Sequence, residues 1–366
     1  MSNGYRVAVV GATGQVGTLM LELLRERRFP AREIVPFASA RSAGRTLPGA
    51  SIDGEDLVVQ GLDEESIQGF DLALFSAGGP TSGEWAPRFA DAGAVVVDNS
   101  SRWRMHEDVP LVVSEVNPEA LAGHHGIVAN PNCSTMQMVV ALAPLHREAQ
   151  IERLVISTYQ AVSGTGKRAV DELLDQSRAL LAETGMGAER VSPGFGKREI
   201  APPDAYAHQI AFNALPHAGS FADGDDHTDE ERKLINETRK ILGDAHIAIS
   251  ATCVRVPVVN GHSEAVNVQT RRELSPERAR ELLDAAPGVS VLDNPAAAQY
   301  PLAIDASGQD DVFVGRIRRD PGHERALDLW IVADNLRKGA ALNAVQLAEL
   351  LHERHLTIPR TTPAPA

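Results

Sequence analysis

Tyr5-Arg-Val-Ala-Val-Val-Gly-Ala-Thr-Gly-Gln-Val-Gly17 is the stretch whose reading decides the fold. A β-branched run stops at Gly11, glycines recur at 14 and 17, and Leu19, Leu23 and Leu24 then follow a helical spacing. This is strand, glycine turn, helix. Glycines in that turn let the backbone approach a pyrophosphate while the helix N-terminus stabilises its charge. The same triplet also serves an ordinary tight strand-helix turn. Outward from it, short apolar strands are predicted at residues 34–38, 71–76, 94–98, 111–113 and 126–129. Strands alternating with helical or loop connections predict an α/β, doubly wound, mostly parallel sheet.

The texture changes after Cys133. A helix is expected from Ser134 to about residue 148, then alternating strands at 153–161, 248–256, 265–270, 312–318 and 326–333. Period-two alternation predicts a half-exposed, largely antiparallel sheet in a second, α+β domain. The expected division is 1–133 and 134–334, with an amphipathic helix at 338–354 bringing 335–366 back to the first domain by analogy with two-domain dehydrogenases. Residues 218–228 are acidic and read as a surface loop, and 357–366 as a frayed tail.

Two domains also suit a length of 366 residues, since single cores seldom grow past about 250–300. A net charge of −14 argues against a nucleic-acid partner, which needs basic patches. The chain opens without the basic start and apolar run of a secretory signal, and its apolar stretches, such as 95–97, fall far short of the roughly 18 residues of a membrane span. A cytoplasmic protein without membrane contact is expected. Cys133 and Cys253 are the only cysteines, too few for a disulfide framework and without zinc-site spacing, so no metal is expected.

Where an acidic residue would bind the ribose of NAD, the chain reads Ala38-Ser-Ala-Arg-Ser-Ala-Gly44. Arg41, with Ser39 and Ser42, suits a 2′-phosphate and favours NADP; otherwise it is a solvated loop arginine. In Asn130-Pro-Asn-Cys-Ser-Thr135 a cysteine directly precedes an apolar helix. The positive helix end favours the thiolate, and the first-turn N–H groups, with the Asn132 side chain, could stabilise an oxyanion. The competing reading of Cys133 is a small buried hydrophobe. Cys253 lies inside a strand-like run and reads as structural.

These residues resemble the aspartate-β-semialdehyde dehydrogenase family over nearly the whole chain. The resemblance rests on Gly11–Gly17, Ser39–Gly44, Asp98-Asn-Ser-Ser101, Asn130–Ser134, Tyr159-Gln-Ala-Val-Ser-Gly164, Arg255-Val-Pro-Val258, Gly261-His-Ser263 and Asp334-Asn-Leu-Arg-Lys-Gly339. The Asn-Cys-Ser element is shared with the acyl-phosphate reductase of arginine synthesis, whereas Arg255 and His262 look like the aspartate enzyme. The resemblance implies a Rossmann-type nucleotide domain, a catalytic and dimerisation domain with a mixed sheet, and a homodimer. It implies that Cys133 forms an acyl-enzyme, Gln160 orients the substrate, Arg255 binds its carboxylate and His262 is the acid/base. Asn132 and Glu230 would join the substrate site, Glu230 at the amino group. Arg104 and Lys233 would bind inorganic phosphate, with Arg102 competing for the role of Arg104. Gly11, Thr13, Gly14, Gln15, Val16, Ser39, Arg41 and Ser42 would hold NADP, with Ser163, Gly164 and Asn335 at its nicotinamide end. The implied reaction interconverts aspartate semialdehyde and aspartyl phosphate; N-acetylglutamyl-phosphate reduction and a non-catalytic NADP-binding protein are the rival readings.

Overall fold

The computed structural model describes residues 4–184, 202–221 and 224–355, so the expected tail at 357–366 lies outside the described residues. The chain packs as two units, one formed by Met1–Val140, Asn236–Ala245 and Arg337–Ala366, the other by Ala141–Ile235 and His246–Leu336. Residues 236–245, assigned above to the second domain, pack with the first.

In the first unit β1 (Tyr5–Val10) leads through the glycine turn into α1 (Gln15–Glu26), followed by β2 (Ala31–Phe37), the short β3 (Thr46–Leu47) and β4 (Leu57–Val58), β5 (Leu72–Phe75), α2 (Gly79–Asp91), β6 (Val95–Asp98) and β7 (Ile127–Ala129). The strands form a parallel sheet in the order β2-β1-β5-β6-β7. β5, β6 and β7 are buried along their whole length, which is why they read as unbroken apolar runs rather than alternating ones. Gly11 sits at φ +88°, where a Cβ would lie 2.3 Å from the Ser76 carbonyl oxygen, and a Cβ on Gly17 would stand 2.2 Å from the Gly11 oxygen. Two of the three glycines are therefore demanded by packing. The strand expected at 111–113 is instead one isolated bridge, Leu111 to Ala129. The Val113 N–H donates to Asn117 Oδ1 (2.9 Å), which takes it out of any ladder.

α3 (Cys133–Ala149) precedes the second sheet, built from β8 (Ile151–Gln160), α4 (Lys167–Thr184), α5 (Asp229–Leu242), β9 (Ala248–Arg255), β10 (His262–Thr270), α6 (Pro276–Asp284), β11 (Val289–Val291), α7 (Ala303–Ala306), β12 (Val312–Arg319) and β13 (Ala326–Ala333). Its order is β11-β12-β13-β10-β8-β9. The sheet is mixed: β8, β10, β13 and β12 pair antiparallel, whereas β9 adds to β8 and β11 to β12 in parallel. Helices α4 and α5 separate β8 from β9, and such a long connection is what parallel pairing needs.

The helix expected over 338–354 is two pieces, a wide π-helical segment at Arg337–Leu342 and then α8 (Asn343–Glu353). Leu342, Val345, Leu347 and Leu351 of this return join Val7, Val9, Leu23, Leu74 and Val97 in the core of the first unit.

Candidate active site

The glycine turn leaves the start of α1 without a side-chain cap, so its first-turn N–H groups at Gln15 and Val16 point at whatever lies before the helix. A Cβ on Gly14 would meet only the Gly11 oxygen, at 3.3 Å, so its other side is open. Thr13 is half-buried beside it. After β2, Ser42 N–H donates to Ser39 O (2.8 Å), closing a turn that presents Arg41 exposed. No carboxylate stands between Ala38 and Gly44. An uncapped helix end and an exposed arginine beyond the second strand fit a dinucleotide carrying a 2′-phosphate.

Cys133 is the first residue of α3 and is partly accessible. Asn132 caps that helix: its Oδ1 accepts from Ser134 N (3.0 Å) and Thr135 N (3.3 Å). This corrects the sequence reading, since two of the N–H groups offered to an oxyanion are taken by the cap. The backbone of Asn132 is held in turn, donating to Glu237 Oε2 at 2.7 Å. The other oxygen of Glu237 accepts from Arg104 Nη1 at 3.0 Å, and Arg104 Nη2 donates to the Asn99 carbonyl at 2.7 Å. Both partners are buried, and Arg104 Nε has no hydrogen-bond partner among the described residues. Arg102 is exposed beside Trp103. Arg104 is thus the arginine fixed next to the cysteine loop, and Glu237 is the residue the sequence reading missed. A glutamate on an amphipathic helix reads as solvated, and nothing local marks it as buried.

In the second unit, Gln160 and Arg255 end the neighbouring parallel strands β8 and β9 in direct register. The antiparallel β10 begins at that same end, with His262 as its first residue. All three side chains are buried. Gly261 makes the entry to β10 at φ +90°, where a Cβ would stand 2.7 Å from the Ala303 oxygen. Gln160 Nε2 donates to Glu230 Oε1 (2.9 Å), and Lys233 Nζ donates to Asp229 Oδ2 (2.6 Å) and Glu230 Oε2 (3.3 Å). Arg255 Nη1 donates to the Ala161 carbonyl (2.7 Å), and its Nε has no hydrogen-bond partner among the described residues. A buried arginine at a strand end is not the solvent-facing residue that isolated strand arginines usually are. Gly164 lies flat against the pair: a Cβ there would be 3.2 Å from Arg255 Nη1 and 3.3 Å from the His262 ring. Ser163 bonds Asn335, whose Oδ1 accepts from Gly261 N (2.9 Å), so Asn335 secures the turn before His262.

Ala161 N–H donates to His262 Nδ1 at 3.0 Å, so the neutral ring carries its proton on Nε2. Its pKa is pushed down to about 3, first by burial and then by the Arg255 charge, against the opposing pull of Glu230. Such a ring donates a hydrogen bond readily and accepts a proton poorly, which narrows the acid/base role expected from sequence. Burial, reinforced by Glu230, raises the Cys253 thiol far above its usual range. That thiol is inert, in keeping with its structural reading.

The sequence profile of the semialdehyde dehydrogenase NAD binding domain matches residues 6–124, and that of the semialdehyde dehydrogenase dimerisation domain matches 142–338. The aspartate-semialdehyde dehydrogenase of Aquifex aeolicus is 54% identical over 95% of this chain and 98% of its own. Among solved structures, aspartate semialdehyde dehydrogenase II of Vibrio cholerae, described as complexed with ASA, superposes with a TM-score of 0.87 at 44% identity over 96% of this chain and 99% of that one. The Candida albicans enzyme, described with NADP, gives 0.70 at 26% identity over 97% and 100%. The two profiles together match well over half of the chain, the Aquifex relative is far above the identity that family membership requires, and the chain belongs to the aspartate-semialdehyde dehydrogenase family.

Proposed function

We propose that this protein reduces L-aspartyl 4-phosphate to L-aspartate 4-semialdehyde with NADPH, reversibly, through a thioester on Cys133. The observation that carries the reading is the meeting of Gln160, Arg255 and His262 at one end of the second sheet, in a chain whose Cys133 opens a capped helix. In the oxidative direction the Cys133 thiolate adds to the aldehyde carbon, and the α3 N-terminus favours that thiolate. His262 Nε2–H donates to the oxygen where charge gathers. A bound NADP would supply the hydride acceptor for the aldehyde carbon. Phosphate oxygen then attacks the thioester carbonyl, the C–S bond breaks, and the thiolate is restored.

Arg255 binds the substrate carboxylate, since a guanidinium can engage both oxygens. Glu230 meets the amino group, and its bond to Gln160 orients the amide toward the substrate. Arg104 and Lys233 serve phosphate; the Nε of Arg104, without a partner among the described residues, supports the first assignment. The turn at residues 11–16, with Ser39, Arg41 and Ser42, holds the adenosine half of NADP, and Ser163, Gly164 and Asn335 belong to its nicotinamide side. The protein acts as a homodimer through its second unit, which the dimerisation profile covers.

The test is phosphate-dependent formation of NADPH from aspartate semialdehyde, followed by absorbance, with NAD and N-acetylglutamate semialdehyde as controls. Turnover of the aspartate substrate with NADP, lost in Cys133→Ser, is expected. Turnover of the acetylated substrate alone, or NADP binding without turnover of either, would overturn the reading, as would near wild-type rates in the serine variant.

A further inference from the structure

Behind the cysteine loop lies a buried polar network for which the proposed chemistry has no direct use. Lys338, fully buried in the π-helical segment, donates to Glu115 Oε1, which also accepts from Gln346 Nε2 (3.3 Å). Ser114 Oγ lies 2.7 Å from the other oxygen of Glu115 and 2.9 Å from Asn343 Oδ1. Asn343 Nδ2 donates to Asn130 Oδ1 (2.6 Å) and to the Val112 carbonyl (2.9 Å), and Asn130 Nδ2 returns to the Ala340 carbonyl (3.3 Å). The network therefore ties both ends of the π segment to Asn130, three residues before Cys133.

The π segment also touches the cysteine itself. A Cβ on Gly339 would stand 2.7 Å from Cys133 Cβ and 3.1 Å from its Cα. The widened turn and the missing side chain bring this backbone against the nucleophile. π turns are uncommon and concentrate at functional sites, and Lys338 is locked one residue before the contact.

We propose that Glu115, Lys338 and Asn343 are positioning residues which, through the π segment at Arg337–Leu342 and its Gly339 contact, set the place of the Cys133 thiol at the start of α3. The proposal rests on Cys133 being the nucleophile. Glu115 and Lys338 act as a pair: the lysine cannot leave its carboxylate without stranding a buried charge, so the segment has one seat. Asn343 fixes the other end by bonding Asn130 side chain to side chain.

Two variants test it: Gly339→Ala, which presses a methyl group on Cys133, and the double variant Glu115→Gln/Lys338→Met, which removes both charges while keeping shape. Each is measured for kcat and KM, for melting temperature, and for the pH dependence of Cys133 alkylation by iodoacetamide in substrate-free enzyme. The expected result is a kcat lowered about tenfold or more with KM changed less than about threefold, and an alkylation midpoint shifted upward by roughly half a pH unit or more. A variant whose melting temperature alone changes, with kcat and the alkylation midpoint at wild-type values, marks a purely structural network and overturns the proposal. If Gly339→Ala does not fold, the double variant decides. Alkylation needs no turnover, so a shift between variants is read even if wild-type enzyme fails to oxidise aspartate semialdehyde; that failure would count against the proposed reaction alone.

Discussion

Glu237 accepts from a backbone N–H of the cysteine loop and from the guanidinium of Arg104, and only 1% of its surface is exposed. Replacing it with glutamine keeps the shape but removes the charge opposite Arg104 and leaves one donor facing an amide N–H₂. Breaking a buried pair from one side typically costs about 3 kcal/mol, so Glu237→Gln is expected to lower stability by an amount of that order. The phosphate KM should rise more than the KM for semialdehyde, because Arg104 loses its anchor while Arg255 is untouched. Steady-state kinetics with each substrate varied in turn checks this. Equal effects on the two constants would separate Glu237 from the phosphate role of Arg104.

Among the elements, α8 and the π segment before it add a block of large apolar side chains to the core of the first unit. Leu342, Val345, Leu347 and Leu351 bury almost completely against α1 and the parallel sheet. At about 1.5–3 kcal/mol for each large apolar side chain, they supply on the order of 6–12 kcal/mol. A whole domain has a net stability of about 5–15 kcal/mol. A chain truncated after Leu336 is therefore expected to lose the cooperative thermal transition of its nucleotide unit, seen by calorimetry, and NADP affinity with it. A sharp transition near the wild-type temperature would show that the return is dispensable.

For the whole molecule, acid stability and assembly follow from what is buried and what is exposed. The His262 ring is held neutral down to about pH 3 when folded, whereas the unfolded ring gains its proton near 6.5. The unfolded state thus binds more protons between those values. The stability this group lends is complete above pH 6.5 and is lost as pH falls toward 3. His262→Gln should flatten the decline of melting temperature over the upper part of that window, and parallel profiles in the two proteins would refute it. On the second unit Ile304 is 80% exposed, with Leu302 and Tyr300 nearby in sequence and also exposed. A cluster of apolar side chains on a unit matched by a dimerisation profile is where a second copy is expected. Sedimentation should give twice the 39.2 kDa chain mass, with Ile304→Asp shifting it toward one chain.

How much of this was legible beforehand depends on the range of the forces involved. The strand-turn-helix at 5–17, the parallel first sheet, the cysteine at a helix start and the arginine in place of an acid are local patterns of apolar spacing, glycine and charge, and such patterns survive in one dimension. The family motifs carried Gln160, Arg255 and His262 as names without a geometry. The tertiary structure decided that β9 lies parallel to β8, and so brings Gln160 and Arg255 into register at the end where β10 starts with His262. It also decided that Asn132 is spent on a helix cap, that the His262 proton sits on Nε2, and that Glu237 and Lys338 are buried partners rather than solvated charges. Each of these depends on which groups meet across long stretches of chain and on the water they exclude, and a residue's own neighbours in sequence carry no record of either.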